Sequence, residues 1–291
     1  MRFTKRAKEM IELANQISIE SKFNYIHPLH LLAAAFSMNY EKNVELVEIT
    51  NIKANTILNW IKIQNIEKNI VESILIKIDE NEYNLSILTN QVLINAKKKT
   101  QQFEEHGQLY LDDGVIIWAV INNESEEITK FLTNIDKDLV ISIVASPRDM
   151  IVDLNQDFSV KKIDGIIVRK VSIEDKDKVI EFVLKNFYER WTKTILNGFE
   201  TIGLPIYIAL KDDDIIGFAG YNISKNREKY FGPLGVLKKY RNQDVGRLLV
   251  VSCMQDMKSL GYKTCTIGNG STIEFYKNVC NAEYLPYKIN L

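Results

Sequence analysis

The chain has 291 residues, of which 46% are hydrophobic and 26% are charged, proportions that are ordinary for a globular protein of two domains. The formal net charge of −1 argues against a general nucleic-acid binder. The charge is divided unevenly: residues 1–150 carry 16 Lys/Arg and 21 Asp/Glu, whereas residues 151–291 carry 21 and 17. We therefore expect two units, of which the second is better suited to an anionic ligand.

Cysteine usage and the N-terminus predict a cytoplasmic protein. Cys253, Cys265 and Cys280 show no CxxC spacing, and an odd, sparse number of cysteines fits a reducing compartment. The N-terminal stretch MRFTKRAKEMIEL has no apolar signal core, and runs such as VIIWAVI are too short to span a bilayer. The short apolar runs predict no membrane contact. His27 and His30 lie three residues apart without a third ligand nearby, so we predict structural histidines and no metal site.

Apolar spacing of three and four residues predicts helices throughout the first half. The first helix has Thr4 as its N-cap, and the second starts near Pro28. The stretches IKANTILNWIKI and KNIVESILIKI continue the helical spacing. The apolar face of the first helix consists of Phe3, Ala7, Met10, Ile11, Ala14 and Ile17.

The helical pattern then recurs. SILTNQVLINAKKKTQQF is followed by YLDDGVIIWAVIN, as the first helix is followed by IHPLHLLAAAF. Ala14 corresponds to Ala96, 82 residues later, and Leu31–Leu32 correspond to Val115–Ile116, 84 residues later. An internal repeat of this size predicts two copies of a helical unit packed on each other.

The stretch FTKRAKEMIELANQ…HPLHLLAAAF resembles the repeat of the Clp ATPase N-terminal domain, whose pattern is roughly F-T-x-x-A…A…T-E-H-L-L. His30 stands at the histidine of the motif, and DDG takes its place in the second copy. The resemblance covers about residues 1–148, and no Walker-type sequence follows in this chain. It implies an adaptor or docking module that binds a protein or peptide partner.

Residues 145–165 break both the helical and the strand pattern, and Pro147 should end a helix near Ala145. We therefore predict an all-α, Clp-N-like double-repeat domain at 1–148, a linker at 149–160 and a second domain at 161–291.

The second half changes period. GIIVRKV is typical of a strand, SIEDKDKVIEFVLKNFYERW of a helix with Ser172 as N-cap, and PIYIALKDDDIIGFAGYNI of a hairpin. EKYFGPLGVL predicts a strand, VGRLLVVSCMQDMKSLG a helix, KTCTIG a strand, TIEFYKNV a helix and AEYLPYKI a last strand. Strands and helices mixed in this order give an α/β or α+β domain.

Residues 164–288 resemble the GNAT acetyltransferase superfamily. LGVLKKYRNQDVGRLL matches L-x-V-x-x-x-x-[QR]-x-x-G-x-G/A, with Arg241 first, Gly246 last and Asp244 replacing the first glycine. Asn269 and Tyr276 match N-x-x-x-x-x-x-Y, and the hairpin IYIALKDDDIIGFAGYNI recurs just upstream in the superfamily. The resemblance implies an acyl-CoA N-acyltransferase fold with a mixed, splayed central sheet and acetyl-CoA as the co-substrate.

The basic turn before the long helix is a candidate pyrophosphate site, because a helix N-terminus offers unpaired N–H groups and a positive dipole end. The alternative is an ordinary basic helix start. Asp244 either adopts a left-handed turn conformation with its carboxylate in solvent, or caps the helix that begins at Val245. The predicted coenzyme residues of the turn are Arg241, Asn242, Gln243, Asp244, Val245, Gly246 and Arg247.

The strand before this turn contains Pro233, which lacks a backbone donor, and Gly235, which lacks a side chain. Both fit a bulged strand that is splayed from its neighbour and exposes N–H and C=O groups to an extended pantetheine arm. The resemblance points to Leu234 and Val236, on either side of Gly235, for these contacts. A bulge without function is the alternative.

The resemblance assigns Asn269 to the coenzyme site and Tyr276 to protonation of the departing thiolate, a general-acid role. A tyrosine packed between a helix and the sheet is the alternative. For the base that deprotonates the amine we select Glu228, while water remains open, and a surface carboxylate is the alternative reading of any such glutamate. Further candidate bases are Glu189 and Glu200, and an acceptor wall is predicted from Phe187, Tyr188, Trp191 and Phe199.

The resemblance predicts an acetyl-CoA-dependent N-acetyltransferase that moves the acetyl group directly to a primary amine. A small amine, an antibiotic, an amino acid and a protein N-terminus all remain open as acceptors. The alternatives for the whole chain are a non-catalytic acyl-CoA sensor and a Clp-system adaptor.

Overall fold

A computed structural model of the chain shows two compact units, the first formed by the described residues up to Ser146 together with Tyr287 and the second running from Pro147 to Pro286. Among the described residues, no helix has the length and apolar character needed to cross a lipid bilayer. The structure describes residues 1–64, 66–101, 110–159, 162–224, 227–268 and 273–287.

The first unit is built from helices with one β-hairpin. Its core is apolar, and the helical spacing of the sequence accounts for it: Ala7, Met10, Ile11 and Ala14 are all buried on one side of the first helix. The elements are α1 (Lys5–Glu20), α2 (Pro28–Ala35), α3 (Glu41–Thr50), α4 (Ala54–Ile63), β1 (Ile74–Ile78), β2 (Asn81–Leu85), α5 (Ile87–Gln101), α6 (Asp113–Ile121), α7 (Glu126–Phe131) and α8 (Lys137–Val144).

Two isolated bridges relate the copies of the repeat. Phe3, before α1, pairs with Leu111, before α6, and Ile26, before α2, pairs with Leu85, before α5. Each bridge therefore joins the start of a first helix in one copy to the start of a second helix in the other copy. The residues after these positions cap their helices, as Thr4 does by accepting a hydrogen bond from the backbone N–H of Ala7 (3.3 Å).

The hairpin differs from the helix that the sequence predicts at KNIVESILIKI. Ile74 and Ile76 are half-buried and Ile78 is buried, while Leu75 and Lys77 between them are exposed, so the segment follows the period of a strand. Asp79, in a left-handed conformation (φ 54°), turns the chain into β2. Alternating β-branched residues were the signal for this strand.

The second unit is a mixed sheet covered by helices on both faces. In the part of the chain that the structure describes, seven strands lie in the order β4-β5-β6-β7-β8-β3-β9, and β7–β8 is the parallel pair among antiparallel ones. The elements are β3 (Met150–Asp153), β4 (Ile167–Lys170), α9 (Lys176–Asn186), α10 (Glu189–Glu200), β5 (Ile206–Lys211), β6 (Asp214–Tyr221), β7 (Tyr230–Val236), α11 (Val245–Ser259), β8 (Thr264–Ile267), α12 (Ile273–Cys280) and β9 (Glu283–Tyr284).

Strand β3 lies inside the segment that the sequence predicts as linker 149–160. Met150 and Val152 are fully buried, and β3 pairs with both β8 and β9. The sheet therefore begins just after Pro147, and its first strand joins partners that lie more than a hundred residues later in the sequence.

The helices cover the two faces of the sheet and position the site. α11 packs on β5, β6 and β7 and buries Leu249, Met254 and Met257, while α9 and α10 bury Val183 and Ile195 against the other face. Each such side chain contributes about 1.5–3 kcal/mol when fully buried. The predicted fold class, a helical repeat unit followed by a mixed and splayed sheet, is confirmed.

Candidate functional site

Strands β7 and β8 separate after a short pairing. β7 is paired with β6 from Phe231 to Val236, but with β8 only at Tyr230 and Phe231. Beyond Phe231, the β8 side of β7 has no strand partner among the described residues. The backbone N–H and C=O groups on that side are thus available to another extended chain.

A bulge marks the point where the strands separate. The register between β6 and β7 shifts between Ala219 and Tyr221, opposite Gly232 and Pro233. Gly232 has φ 128°, a value that residues other than glycine rarely adopt. Pro233 has no N–H to leave unpaired, so the bulge costs the ladder little.

Gly235 has no side chain because aromatic rings occupy the space. A Cβ atom at this position would lie 2.5 Å from the ring of Phe218 and 2.8 Å from that of Phe187. Phe187 stacks on Trp191, with ring centroids 5.8 Å apart, and Tyr188 lies edge-on to Trp191 at 5.1 Å. Three predicted wall residues, Phe187, Tyr188 and Trp191, therefore lie together beside β7.

The turn between β7 and α11 is held by its own side chains. The Nε of Arg241 donates to the carbonyl of Val236 (3.1 Å), and the Nε2 of Gln243 donates to the carbonyl of Lys239 (2.8 Å). Asn242 has φ 61°. These contacts hold the turn that runs from the end of the splayed strand to α11. Of the predicted coenzyme residues, 241–244 lie in this turn and 245–247 lie in the first turn of α11.

Asp244 directly precedes α11, and the structure decides between the two sequence-based alternatives for it. Its backbone is left-handed (φ 56°, ψ 7°) and its side chain makes no capping hydrogen bond. Of the two alternatives, the left-handed turn is therefore observed and the capping aspartate is excluded. The side chain is exposed.

Within the described residues, the start of α11 leaves backbone donors unpaired. The N–H of Leu248 donates to the carbonyl of Asp244 (3.0 Å) and is the first intrahelical donor, so the N–H groups of Val245, Gly246 and Arg247 before it have no acceptor within the helix. A Cβ atom on Gly246 would lie 3.3 Å from the ring of Phe275. The positive end of the helix dipole and the arginines at 241 and 247 add to an arrangement that suits a phosphate.

Tyr276 lies where β7 and β8 separate. Its ring packs edge-on against Phe231 (centroids 6.2 Å apart) and Phe275 (5.0 Å), and burial raises its pKa. Within the described ranges its hydroxyl has no hydrogen-bond partner. The tyrosine is therefore packed between helix and sheet, and it also keeps a protonated hydroxyl beside the splayed strand.

The remaining predicted residues are less informative. Glu228 is exposed in the connection before β7, and Glu189 and Glu200 are exposed on α10. Asn269 lies outside the described residues. Phe199 is buried in the same core as Phe187.

Sequence reasoning missed Phe218 and Phe275, whose rings occupy the space that Gly235 and Gly246 leave. Gly235 and Gly246 were the available signal. A glycine inside a strand or in the first turn of a helix often indicates that another group packs closely against the backbone there.

A known protein family matches part of the second unit. Residues 172–281 match the model of the acetyltransferase (GNAT) family. The PaiA N-acetyltransferase of Thermoplasma acidophilum, solved with coenzyme A, is 24% identical over 39% of this chain and 87% of its own, with a TM-score of 0.30. A Pyrococcus horikoshii protein assigned as an acetyltransferase is 16% identical over 36% of this chain and only 38% of its own, with a TM-score of 0.29.

The first unit also has a neighbour among solved structures. The N-terminal domain of the chaperone ClpD from Arabidopsis thaliana is 15% identical over 50% of this chain and 92% of its own, with a TM-score of 0.38. No curated protein sequence matches this chain. The family model thus confirms the resemblance of residues 172–281 to the GNAT family, and Clp-type N-terminal domains are among the structural neighbours of the N-terminal half.

Proposed function

We propose that the second unit binds acetyl-CoA and transfers its acetyl group to a primary amine. The observation that carries the proposal is the edge of β7 that has no strand partner among the described residues after Phe231, followed along the chain by the N–H groups at the start of α11. The N–H groups of Val245, Gly246 and Arg247 would hold the pyrophosphate.

The pantetheine arm would lie along Leu234, Gly235 and Val236, where β8 no longer covers the edge of β7. An extended ligand pairs there as a strand would. Backbone N–H groups of this segment would also stabilise the oxyanion that forms when the amine attacks the acetyl carbon. The amine and the thioester need only alignment by the protein.

In the reaction a C–N bond forms and the thioester C–S bond breaks. Glu228 or water takes the proton from the amine, and Tyr276 gives its hydroxyl proton to the departing thiolate. The buried cysteines do not favour a covalent enzyme intermediate. Burial raises the pKa of Cys265 and of Cys280 to about 12, so both remain thiols at neutral pH.

The first unit would serve as a protein-docking module, as its resemblance to Clp N-terminal domains suggests. A cytoplasmic location is supported by Cys253, Cys265 and Cys280, which are all free thiols and fit a reducing compartment.

The test is thiol release from acetyl-CoA by the full chain with a panel of small amines, amino acids and peptides. Release that requires an amine, together with an N-acetylated product by mass spectrometry, is expected. Saturable binding of acetyl-CoA without turnover on any acceptor would contradict the transferase and support the acyl-CoA sensor instead. Absence of binding would overturn the coenzyme site itself.

A further inference from the structure

A cluster of side chains from β7, β8 and β3 lies beside the point where β7 and β8 separate. Phe231, Ile267 and Met150 pair across these three strands and are buried in the core under α11. Side chains alternate between the two faces of a strand, so the neighbours of these residues point to the opposite face, the one that α9 and α10 cover in part. The neighbours that form the cluster are Tyr230, Gly268 and Asp149.

The ring of Tyr230 extends across β8 because Gly268 has no side chain. The hydroxyl oxygen of Tyr230 lies 1.3 Å from the position that a Cβ atom on Gly268 would take. The main chain of Tyr230 is fixed on both sides, since its N–H donates to the Oδ1 of Asn222 (3.1 Å) and its carbonyl accepts the N–H of Asn222 (2.7 Å). The hydroxyl is therefore held over the end of β8, next to β3.

Asp149 supplies a carboxylate to the cluster from the start of β3. The register of β3 with β8 places Asp149 opposite Gly268, and the N–H of Leu285 donates to the carbonyl of Asp149 (3.0 Å), so the pairing of β3 extends to this residue. Burial, and next the negative charge of Asp149, raise the pKa of Tyr230, which shows that the charge acts at the hydroxyl. Asp149 is half-buried, and Ile151 on the same face of β3 is 36% exposed, so this part of the sheet is accessible from solvent.

Arg227 borders the cluster with a positive charge. Its guanidinium carbon lies 4.6 Å from the centroid of the Tyr230 ring, and its charge lowers the pKa of Tyr230, in opposition to Asp149. A ligand with one positive charge can pair with the carboxylate of Asp149. A second cationic group on the same ligand would lie near Arg227 and be repelled.

Aromatic rings cover the same face of β7 further along the strand. Gly235 pairs with Phe218, and a Cβ atom on Gly235 would lie 2.8 Å from the ring of Phe187. Trp191 stacks on Phe187 and is half-buried. Phe187, Trp191 and Phe218 form an aromatic wall, and the bulge of β7 lies between this wall and Tyr230. The face therefore offers apolar contacts on one side of the bulge and polar contacts on the other.

We propose that Asp149 and Tyr230 bind the amino group of the acetyl acceptor, and that this acceptor is a singly charged primary amine on an apolar body. The inference rests on the proposed acetyl transfer. The carboxylate of Asp149 pairs with the ammonium group, and the hydroxyl oxygen of Tyr230 accepts one of its hydrogen bonds. The apolar body lies against the aromatic wall. Loss of the ammonium proton to Glu228 or water then frees the nitrogen lone pair for attack on the thioester.

The test compares three amines as acceptors for the full chain at pH 8 and saturating acetyl-CoA. Phenethylamine is singly charged, β,β-difluorophenethylamine has the same body but is mostly uncharged at this pH, and spermidine carries several charges. Initial rates of thiol release give kcat and KM for each amine. Phenethylamine is expected to have a higher kcat/KM than spermidine, because it has one cation for Asp149 and an apolar body for the aromatic wall.

Substitution of the carboxylate should act on the charged amine alone. Asp149→Asn should raise the KM for phenethylamine about fivefold and leave kcat within about twofold, because a partly screened ion pair is lost equally from the ground state and the transition state. The KM for the uncharged difluoro analogue should stay within about twofold. Asp149→Glu keeps a carboxylate and should recover part of the loss.

Two further variants separate the site from the fold. Tyr230→Phe keeps the ring over Gly268 and removes the hydroxyl, and it should raise the KM for phenethylamine about threefold. Asp177→Asn makes the same chemical change as Asp149→Asn at an exposed position on α9 and should leave both constants unchanged. Calorimetry should give the same affinity for acetyl-CoA in every variant, and circular dichroism verifies the fold.

The outcomes distinguish this inference from the proposed function. No transfer to any amine contradicts the proposed function, and the inference with it. Transfer to phenethylamine that Asp149→Asn leaves unchanged, or impairs equally for the difluoro analogue, overturns the inference while acetyl transfer stands. A preference for spermidine, or transfer to other amines but not to phenethylamine, also overturns it. If Asp149→Asn does not fold, the same comparison of the two phenethylamines in Tyr230→Phe decides.

Discussion

Helices α2 and α11 start in opposite ways. At α2, the ring of His27 accepts the N–H of Leu29 (3.2 Å) and the ring of His30 accepts the N–H of His27 (3.1 Å), so side chains of the protein use the free donors. At α11, Asp244 has the chemistry of a cap, but its left-handed backbone leaves the side chain without a capping bond.

The difference shows that backbone conformation, and not residue type alone, decides whether a helix start is closed or open. Histidine is an uncommon N-cap and still closes α2, whereas aspartate is a preferred N-cap and leaves α11 open. An open start next to two arginines and a splayed strand is suited to a ligand, while a closed start stabilises the fold.

The largest expected effect is on kcat in a Tyr276 variant, with little change in the binding of acetyl-CoA at the start of α11. Tyr276→Phe removes the hydroxyl and should lower kcat by about 10²–10³-fold, because the thiolate loses its acid. The affinity for acetyl-CoA should stay within about twofold, since the backbone at the start of α11 is unchanged. Stopped-flow thiol release and calorimetry measure the two quantities.

Tyr262→Phe is the matched control for this substitution. The Tyr262 hydroxyl accepts a hydrogen bond from Asn222 (3.1 Å) and lies outside the proposed reaction path, so kcat should be unaffected. A Tyr276→Phe variant as active as the native chain would leave this tyrosine with a packing role only.

A carboxylate placed in the open helix start should close it to phosphate. Gly246→Asp should weaken acetyl-CoA binding by about 2 kcal/mol, near thirtyfold, through charge repulsion and competition for the N–H groups. Gly246→Ala tests the steric contribution alone, because the added Cβ would lie 3.3 Å from Phe275, and a much smaller loss is expected. Equal losses in the two variants would indicate crowding and not charge.

The closed helix start should respond to pH. Burial lowers the pKa of His27 to about 4 and that of His30 to about 3, both below the usual value of 6.5. At pH values between the lowered pKa values and 6.5, the histidines of the unfolded chain bind protons that those of the folded chain do not. The free energy of unfolding of the first unit should therefore fall as pH falls from 7 to 5.5, by about 1 kcal/mol per histidine.

Hydrogen exchange of the α2 amides measures this change. The amides of α11 provide an internal control, because the sequence from 147 to 286 contains no histidine. Equal protection of α2 at both pH values would mean that the rings are not held neutral.

The smallest effect concerns Asp244 itself. Asp244→Gly should tighten acetyl-CoA binding by two- to fivefold, because it removes a negative charge near the helix start and fits the left-handed backbone at φ 56°. Asp244→Asn removes the charge but keeps a side chain that tolerates this conformation. Calorimetry of both variants at low salt distinguishes charge from backbone strain, and weaker binding by both would contradict the expected repulsion.

The sequence was sufficient for features that are set locally. Helical spacing predicted α1, α2, α5 and α6, and the turn KDDD between β5 and β6 places Asp212 (φ 50°) and Asp213 (φ 65°) in the left-handed conformations of a tight hairpin. The motif around Arg241 and Gly246 indicated the turn before α11 correctly.

Features that depend on distant partners were not accessible in this way. β3 is four residues long and pairs with β8 and β9, so its local sequence contains too little pattern to distinguish a strand from a linker. β1 was interpreted as helix because a short apolar run fits both periods. The conformation of Asp244 depends on a single backbone torsion, and the residue type alone left both alternatives open.

The most direct test of the open helix start is the amide spectrum of the isotopically labelled full chain, recorded while coenzyme A is added. The account predicts that the N–H resonances of Val245, Gly246 and Arg247 shift downfield and saturate, and that the amide of Leu29 in the closed start of α2 does not move. Saturable binding of coenzyme A that leaves the Gly246 resonance in place would contradict it.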